Sequence, residues 1–186
     1  TAYVEFPNVA LLYSAFPHAH YRAYSSDLWL QTPDGKKKLL LSLPRYDFNW
    51  QRSYQFAEPI KVPAGSRLIA HYVYDNSKRN PANPDPSVKV TWGEQSHEEM
   101  FFTSVALPWL DETAGKQVDH DARFAQTRML GMMDDNIDGK LQKAELRGQM
   151  GQMIGRFWAT IDKDKDGAPD RQELAAAQAM MPQRRR

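Results

Sequence analysis

The chain contains no cysteine, which excludes disulfide bonds and thiolate chemistry. Its 186 residues also lack an apolar run approaching the roughly 20 residues that a membrane helix needs, and no signal peptide is visible. Neither sign of charge dominates, since 24 basic residues are interspersed with 23 acidic ones. This balance argues against nucleic-acid or membrane-surface partners. The length suits one large domain, or one mid-sized domain with a small appendage.

Seven short runs rich in Val, Leu, Tyr, Phe and Trp are separated by turn signals such as PDGK and PAG. They are VALLYSAF, DLWLQT, KKLLLSL, SYQFAEPIKV, SRLIAHYVY, VKVTW and MFFTSVAL. Seven strands in about a hundred residues predict a mainly β fold, here an antiparallel β-sandwich of the jelly-roll type. The Asn/Pro-rich stretch 75–87 cannot be the interior of a strand, because proline lacks the N–H that pairing requires. We predict a long ordered or functional loop there.

Two twelve-residue stretches fit the calcium-binding loop of an EF-hand, DDNIDGKLQKAE at 134–145 and DKDKDGAPDRQE at 162–173. A hard cation takes six to eight oxygen ligands, and a glycine at the sixth position lets alternate residues aim at one point. The predicted ligands of the first loop are Asp134, Asn136, Asp138, the Lys140 carbonyl, Gln142 and Glu145. Those of the second loop are Asp162, Asp164, Asp166, the Ala168 carbonyl, Asp170 and Glu173.

Apolar residues precede each loop by one, four and five positions, which is helical spacing. They are Met133, Leu130 and Met129 before the first loop, and Ile161, Trp158 and Phe157 before the second. We therefore predict a β-rich domain over 1–112, a linker over 113–120, a paired EF-hand subdomain over 121–182 and a basic tail at 183–186. Asp119 or Asp121 is the expected cap of the first helix, in preference to a metal triad in the sequence DHD.

Two features favour a structural calcium clamp over a sensor. Pro169 occupies the position whose N–H and C=O normally pair the two loops, so at most one of two hydrogen bonds can form. The loops start 28 residues apart, and glycines at 148, 151 and 155 interrupt the short helices between them. A set of methionines keeps the sensor alternative open, since methionine suits adaptable binding surfaces. The set comprises Met129, Met132, Met133, Met150, Met153, Met180 and Met181.

A histidine pair, His18 and His20, ends the first apolar run in the sequence FPHAH. Residues two apart on a strand point to the same face with Cα atoms roughly 7 Å apart, so both imidazoles can reach one ion. Alone, such a pair is equally compatible with ordinary surface. Of the other histidines, His71 lies in an apolar strand and is predicted to be a core residue, whereas His120 belongs to the linker.

The succession FPHAHYRA, LPRYDFNWQ, YDNSKRNPANPDP and WGEQSHEEM resembles the C-terminal domain of the copper type II, ascorbate-dependent monooxygenases. This is the family of peptidylglycine α-hydroxylating and dopamine β-monooxygenases; the likeness covers roughly residues 10–105 and is closest to the bacterial branch. It implies that His18, His20 and Met100 form the catalytic copper site. Two neutral imidazoles and a thioether suit Cu(I) and leave a coordination position open. His97 is the rival ligand, at a position that the family does not use.

The resemblance also has gaps. In the animal enzymes a disulfide joins the positions that correspond to Tyr72 and Phe101, where we expect an apolar contact instead. The family's peptide enzymes hold the substrate carboxylate with Arg, Asn and Tyr, but this chain has Phe16, Phe102 and Ser104 at the matching positions. A glycine-extended peptide is therefore not the expected substrate, and the sequence leaves the organic substrate unidentified.

The family further requires an electron-donating copper, bound by three histidines in an upstream domain. The five histidines of this chain, two of them already assigned, cannot build that centre. We therefore expect an upstream domain or a redox partner to supply the electrons. Because calcium is plentiful and copper oxidants operate outside the cytoplasm, we also expect an exported, periplasmic location. The favoured function is a copper-binding, O2-activating monooxygenase-like module with a calcium-stabilised tail. The alternatives are a non-catalytic assembly or electron-transfer module and, third, calcium signalling.

Overall fold

A computed structural model of the protein describes residues 1–180. The predicted basic tail at 183–186 and the last two residues of the predicted subdomain 121–182, Met181 included, lie outside the described residues. The chain divides into two compact units. Residues 6–118 form the β-rich unit, and residues 1–5 join residues 119 onward in the helical unit. Residues 1–5 thus group with the segment that the sequence assigned to the EF-hands rather than with the β-rich domain.

Antiparallel β-structure dominates the chain, as predicted, and short helices follow it. The strands are β1 (Ala2–Glu5), β2 (Ala10–Ala19), β3 (Ala23–Gln31), β4 (Lys37–Leu43), β5 (Tyr54–Val62), β6 (Arg67–Tyr74) and β7 (Phe101–Ala106). Within the β-rich unit, β6, β3 and β4 are consecutive in one sheet, and the order in the other is β5-β2-β7. Every one of these neighbouring pairs is antiparallel.

A register irregularity in β2 decides which of its side chains face the core. The pairing of β2 with β5 shifts between Leu12 and Ser14. Leu12 is fully buried before the shift, whereas Ala15 and Ala19 are fully buried after it. After the shift, Phe16 and His18 alternate with the buried Ala15, Pro17 and Ala19 and therefore lie on the outer face of the strand.

One predicted strand is absent from the described residues, and one observed strand was not predicted. Residues 88–92, VKVTW, form no strand but only an isolated bridge between Trp92 and Glu99. Val88 and Trp92 are exposed to 45% and 69%, so this segment buries no apolar face that would hold it in a sheet. Conversely, β1 was not predicted from its four residues, although Tyr3 and Glu5 are buried.

The helical unit contains α1 (His120–Met133), α2 (Gly148–Arg156), α3 (Trp158–Ile161) and α4 (Arg171–Met180). Its core comprises Leu130, Met133, Leu141, Ile154, Trp158, Ile161 and Leu174. Asp119 caps α1 by accepting a hydrogen bond from Ala122 N at 2.9 Å, which decides between the two predicted caps. Phe157 is 54% exposed and not on the predicted apolar face, because α2 ends just before it and α3 starts just after it.

Within the helical unit, β1 lies directly against α1. A Cβ atom at Gly131 would come within 1.9 Å of the Tyr3 carbonyl oxygen, so only glycine allows this approach. The Thr127 hydroxyl donates to the Glu5 carbonyl oxygen at 3.2 Å. None of the helices in residues 1–180 combines the length and the apolar character that crossing a membrane requires.

Candidate metal sites

The pairing of β2 with β7 brings the chain segments that carry the three predicted copper ligands next to each other. His18 lies opposite Phe102 and Ala19 opposite Phe101, where the pairing ends. His20 and Met100 are the next residues of the two segments, just outside the strands. The three predicted copper ligands therefore lie at or just beyond one end of this strand pair.

The two imidazole rings are close neighbours. Their centroids lie 5.2 Å apart, with the rings nearly perpendicular at 89°. His20 is buried, with 4% of its surface exposed, and His18 is half-buried. This separation is compatible with both rings binding one ion through metal–nitrogen bonds of roughly 2 Å.

Hydrogen bonds fix which nitrogen each imidazole can offer to an ion. The Gln51 side-chain amide donates from Nε2 to the Phe48 carbonyl at 2.7 Å, which turns its Oε1 toward His18 Nδ1. His20 Nδ1 lies 3.2 Å from the Glu98 carbonyl oxygen. Both partner atoms are acceptors, so each Nδ1 donates and each neutral ring keeps its lone pair on Nε2. Metal-binding histidines are commonly oriented in this way.

Three tyrosines donate to or accept from the backbone at this site, and the sequence singled out only Tyr72 among them. Tyr74 OH donates to the Met100 carbonyl at 2.8 Å, and Tyr72 OH donates to the Phe102 carbonyl at 2.9 Å. The Tyr46 hydroxyl accepts from the N–H of Ala19, between the two histidines, at 2.9 Å. Burial raises the pKa of Tyr46 to about 12 and also raises the pKa values of Tyr72 and Tyr74, so all three keep their protons.

The alternation of β6 explains these tyrosines and corrects one prediction. Tyr72 and Tyr74 share the inward face, which places His71 and Val73 on the outward face. His71 is exposed, so the prediction of a core histidine is wrong. The predicted apolar contact between Tyr72 and Phe101 is confirmed by ring centroids 4.6 Å apart.

A buried arginine connects the long loop to the segment before Met100. Arg22 is 2% exposed, and its Nε donates to Asn76 Oδ1 at 2.9 Å and to Asn83 Oδ1 at 3.0 Å. Its Nη1 donates to the His97 carbonyl oxygen. The 75–87 stretch is thus a loop with its own hydrogen-bond network, as predicted. His97 is exposed and contributes its backbone carbonyl to this network.

Aromatic side chains surround the imidazoles. The Phe16 ring stacks parallel to His18 at 6.4 Å, and Phe102, 51% exposed, meets His18 edge-on at the same centroid distance. Phe48 meets the His20 ring edge-on at 6.3 Å. Phe16 and Phe102, which stand at two of the three positions compared above with the carboxylate-binding residues of the peptide enzymes, therefore make apolar contacts with His18.

The two predicted calcium loops share one backbone conformation. The fourth residues, Ile137 and Lys165, have φ of 62° and 61°, and the sixth, Gly139 and Gly167, have φ of 89° and 90°. Glycine adopts such a left-handed conformation without the steric cost that a side chain brings. The 28-residue repeat seen in the sequence is therefore also a repeat of the backbone.

In the first loop, the predicted ligands at both ends bind the loop backbone. Asp134 is 1% exposed, and its Oδ2 accepts from Gly139 N at 2.8 Å and from Tyr3 OH at 2.7 Å. Glu145 accepts from Asp135 N through Oε1 and from Gln142 N through Oε2, both at 2.8 Å. The carboxylates of the first and twelfth residues of the loop therefore both turn toward the loop backbone.

The middle of the first loop is closed by short-range bonds. Asp138 Oδ1 accepts from the Lys140 N–H at 2.8 Å. Asp138 Oδ2 accepts from the side-chain amides of Asn136 and Gln142, each at 2.9 Å. Burial raises the pKa of Asp138, but these hydrogen bonds outweigh it and lower the pKa overall. The four residues thus converge on one side of the loop.

In the second loop, three carboxylates converge. Asp162, Asp164 and Asp166 each offer an oxygen, and these oxygens lie within 4.8 Å of one another. Asp162 is only 8% exposed, yet its Oδ1 has no hydrogen-bond partner among residues 1–180. Leaving a buried carboxylate oxygen unpaired is costly, and a bound cation would remove that cost. The donor set therefore fits a calcium ion.

The remaining ligands of the second loop repeat the pattern of the first. Glu173 accepts from Lys163 N through Oε1 at 2.7 Å and from Asp170 N through Oε2 at 3.0 Å. Asp170 Oδ1 in turn accepts from Glu173 N at 2.9 Å, and the Ala168 N–H donates to Asp166 Oδ1 at 2.9 Å. The predicted carbonyl ligands Lys140 and Ala168 thus hold equivalent places in the two loops.

A backbone hydrogen bond joins the loops, from Leu141 N to the Pro169 carbonyl at 2.9 Å. Pro169 has no N–H to return it, which confirms the predicted single bond. The loops also differ electrostatically, because Lys140 Nζ donates to Asp166 Oδ2. This hydrogen bond lowers the pKa of Asp166, so the second loop contains an ammonium group beside its ligands.

No family model matches the chain, and neither does any curated protein. The chemistry of the candidate copper site and of the two candidate calcium loops is therefore argued from the residues of this chain alone. The structure brings together three predicted carboxylates of the second calcium loop, and it places the imidazoles of His18 and His20 beside each other. Tyr46, Tyr74 and Arg22 support the candidate copper site but were not predicted. Their signals in the sequence are weak: Tyr74 belongs to a Tyr-x-Tyr pair, and Arg22 is a lone arginine two residues after His20.

Proposed function

We propose that the β-rich unit is a copper-binding, O2-activating monooxygenase-like module and that the helical unit is a pair of EF-hands stabilised by calcium. The first part is supported by the close approach of the His18 and His20 rings and by the pairing of β2 with β7, beyond whose end His20 and Met100 follow. Two neutral imidazoles and one thioether form a ligand set that suits Cu(I) and leaves a coordination position open. The sequence resemblance to the copper type II monooxygenases leads to the same residues.

The groups around the candidate copper site have different roles. Gln51 and the Glu98 carbonyl orient the two imidazoles, so that both Nε2 atoms are available as ligands. A copper ion held there would supply one-electron redox chemistry with O2, given an external reductant such as ascorbate. Phe16 and Phe102 cover His18 with apolar surface and offer no cation to a substrate carboxylate. The organic substrate we infer is therefore not a peptide carboxylate.

The finer fold assignment, a jelly-roll-like β-sandwich, has one supporting observation. Tyr72 and Tyr74 belong to β6 in one sheet, and their hydroxyls donate to carbonyls at and before the start of β7 in the other sheet. Such bonds require the two sheets to lie face to face at this place. A sandwich would present the copper ligands on the outer face of one of its sheets.

The calcium sites support a clamp rather than a sensor. The two loops repeat one backbone conformation, and the unpaired Oδ1 of Asp162 calls for a cation. The single bond from Leu141 to Pro169 and the short helices α2 and α3 tie the loops closely together. Such an arrangement stabilises a tail and does not require the opening of a groove.

A non-catalytic electron-transfer or assembly module is the second candidate. In the described part of the chain, Asp162, Asp164 and Asp166 are the one group of three His, Cys, Asp or Glu side chains close enough to share an ion. A three-histidine copper centre is thus not formed by residues 1–180, so electrons for oxygenation would come from a partner or an upstream domain. Export to the periplasm stays a prediction.

Oxygen consumption by the copper-loaded protein distinguishes the two candidates. We expect ascorbate-dependent consumption that is lost in Met100→Ile, because isoleucine keeps the apolar volume but removes the sulfur ligand. Met132→Ile is the matched control, since Met132 is 66% exposed in the helical unit. Copper binding without turnover by any reductant would favour the non-catalytic module.

Isothermal titration tests the calcium sites separately. The double variant Glu145→Gln, Glu173→Gln removes the bidentate ligand of each loop and should give no heat with calcium. A titration equal to that of the unmodified protein would show that the EF-hand assignment is wrong.

A further inference from the structure

The N-terminal strand β1 makes specific polar contacts with both halves of the helical unit. Tyr3 OH donates to Asp134 Oδ2 at 2.7 Å across 131 residues of sequence, and both side chains are buried. Arg171, the first residue of α4, donates to the Glu5 carboxylate. Residues 1–5 therefore contact the first calcium loop and the helix that follows the second.

The two oxygens of Asp134 have different surroundings. Oδ2 accepts from Gly139 N and from Tyr3 OH, whereas Oδ1 accepts only a longer bond of 3.2 Å from Asp138 N. In the second loop the equivalent Asp162 accepts from Gly167 N through Oδ2, and its Oδ1 has no partner among the described residues. This parallel assigns Oδ1 to the ion in both loops. Tyr3 thus holds the oxygen that the ion does not need.

We propose that Tyr3 is a positioning residue of the first calcium loop, and that calcium binding there and docking of residues 1–5 onto α1 stabilise each other. This inference rests on the proposed calcium binding. The phenol holds the Asp134 carboxylate in one orientation, so the ion meets a preorganised ligand. Outer-shell partners of metal ligands commonly matter in this way. In the second loop, among the described residues, the equivalent oxygen Asp162 Oδ2 accepts only from Gly167 N and has no such side-chain donor.

The coupling must act in both directions. If docking of β1 strengthens calcium binding by some factor, calcium strengthens the docking of β1 by the same factor. The close approach of Gly131 to the Tyr3 carbonyl and the bond from Thr127 to Glu5 keep the strand aligned with α1. The hydrogen bond from the Tyr3 hydroxyl links the position of the strand to the orientation of the Asp134 carboxylate.

Calcium titration of the full chain in a Glu173→Gln background tests the first loop alone. Tyr3→Phe keeps the buried ring and removes only the hydroxyl. We expect calcium to bind about tenfold more weakly in this variant. Tyr13→Phe is the control, because it makes the same change at a tyrosine that is 42% exposed on β2.

Amide hydrogen exchange of residues 2–5 supplies a readout that does not depend on the variant. Calcium should slow this exchange in the Glu173→Gln protein, and should slow it less in the additional presence of Tyr3→Phe. Equal calcium affinities with and without the Tyr3 hydroxyl, or exchange of residues 2–5 that calcium leaves unchanged, would overturn the inference. Absence of calcium binding even with Tyr3 and both loops intact would instead overturn the proposed calcium sites.

Discussion

The first calcium loop draws all of its predicted ligands from residues 134–145, whereas the candidate copper site joins His18 and His20 to Met100, eighty residues beyond His20. The loop needs a turn at Gly139 and a few local hydrogen bonds. The copper face needs the register between β2 and β7. A site within one loop can form when that loop folds. A site that joins residues of two strands forms only when the whole β-rich unit has folded.

This difference extends to the supporting residues. In the helical unit, Tyr3 is the one described contact from a distant part of the sequence to a predicted calcium-ligand carboxylate of the first loop. Around the copper face, Tyr46, Tyr74 and Arg22 all reach from other strands or loops to the backbone of the ligands or their neighbours. We therefore expect the two sites to respond differently to calcium removal and to substitutions outside their ligands.

Removal of calcium should have the largest effect, and it should be confined to the helical unit. Ligand at a thousand times its dissociation constant stabilises a protein by about 4 kcal/mol for each site. Chelation should therefore speed amide exchange strongly in α1 and in residues 158–174, but not in β2, β3 or β6. Equal acceleration of amide exchange in both units would contradict a calcium effect confined to the helical unit.

Arg22→Met should have the next largest effect, and it should be confined to the β-rich unit. The change removes the buried charged donor to Asn76 Oδ1, Asn83 Oδ1 and the His97 carbonyl oxygen, at a cost on the order of 3 kcal/mol. We expect a lower free energy of unfolding of this unit and weaker copper binding, with calcium affinity unchanged. Arg128→Met, which removes an exposed partner of Asp121, is the control and should change little. A stability equal to that of the unmodified protein would contradict the positioning role.

Lys140→Met should produce the smallest effect, a roughly threefold gain in calcium affinity of the second loop. The ammonium donates to Asp166 Oδ2 and must give way to the ion, so its removal favours binding. The measurement is a titration in a Glu145→Gln background, which leaves the second loop alone. Lys143→Met is the control, because Lys143 lies over the Trp158 ring at 5.5 Å and not on a carboxylate. Unchanged or weaker binding in Lys140→Met would show that this lysine does not compete with the ion.

The same contrast between local and assembled features explains which predictions succeeded. Asp119 was one of two predicted caps, because a cap depends on residues within one turn, and the missing return bond at Pro169 was predictable because proline has no N–H. VKVTW has the composition of a strand but no buried face, and composition alone cannot show burial. His71 was misplaced because the inward face of β6 is decided by Tyr72 and Tyr74 packing against the neighbouring sheet.

The candidate copper site illustrates the limit most clearly. The sequence placed His18 and His20 on one face from their spacing, but only the resemblance to a known family linked them to Met100. The register irregularity between Leu12 and Ser14, which turns His18 outward, has no signal in residue types. Long-range pairings such as the Tyr74 bond to Met100 arise from the fold as a whole.

X-ray absorption spectroscopy at the copper edge tests the central claim most directly. In protein loaded with Cu(I), we predict scattering from two imidazoles and one sulfur atom. The sulfur contribution should disappear in Met100→Ile and persist in Met132→Ile. A spectrum without sulfur in the unmodified protein, or one that Met100→Ile leaves unchanged, would contradict the assignment of His18, His20 and Met100 as one copper site.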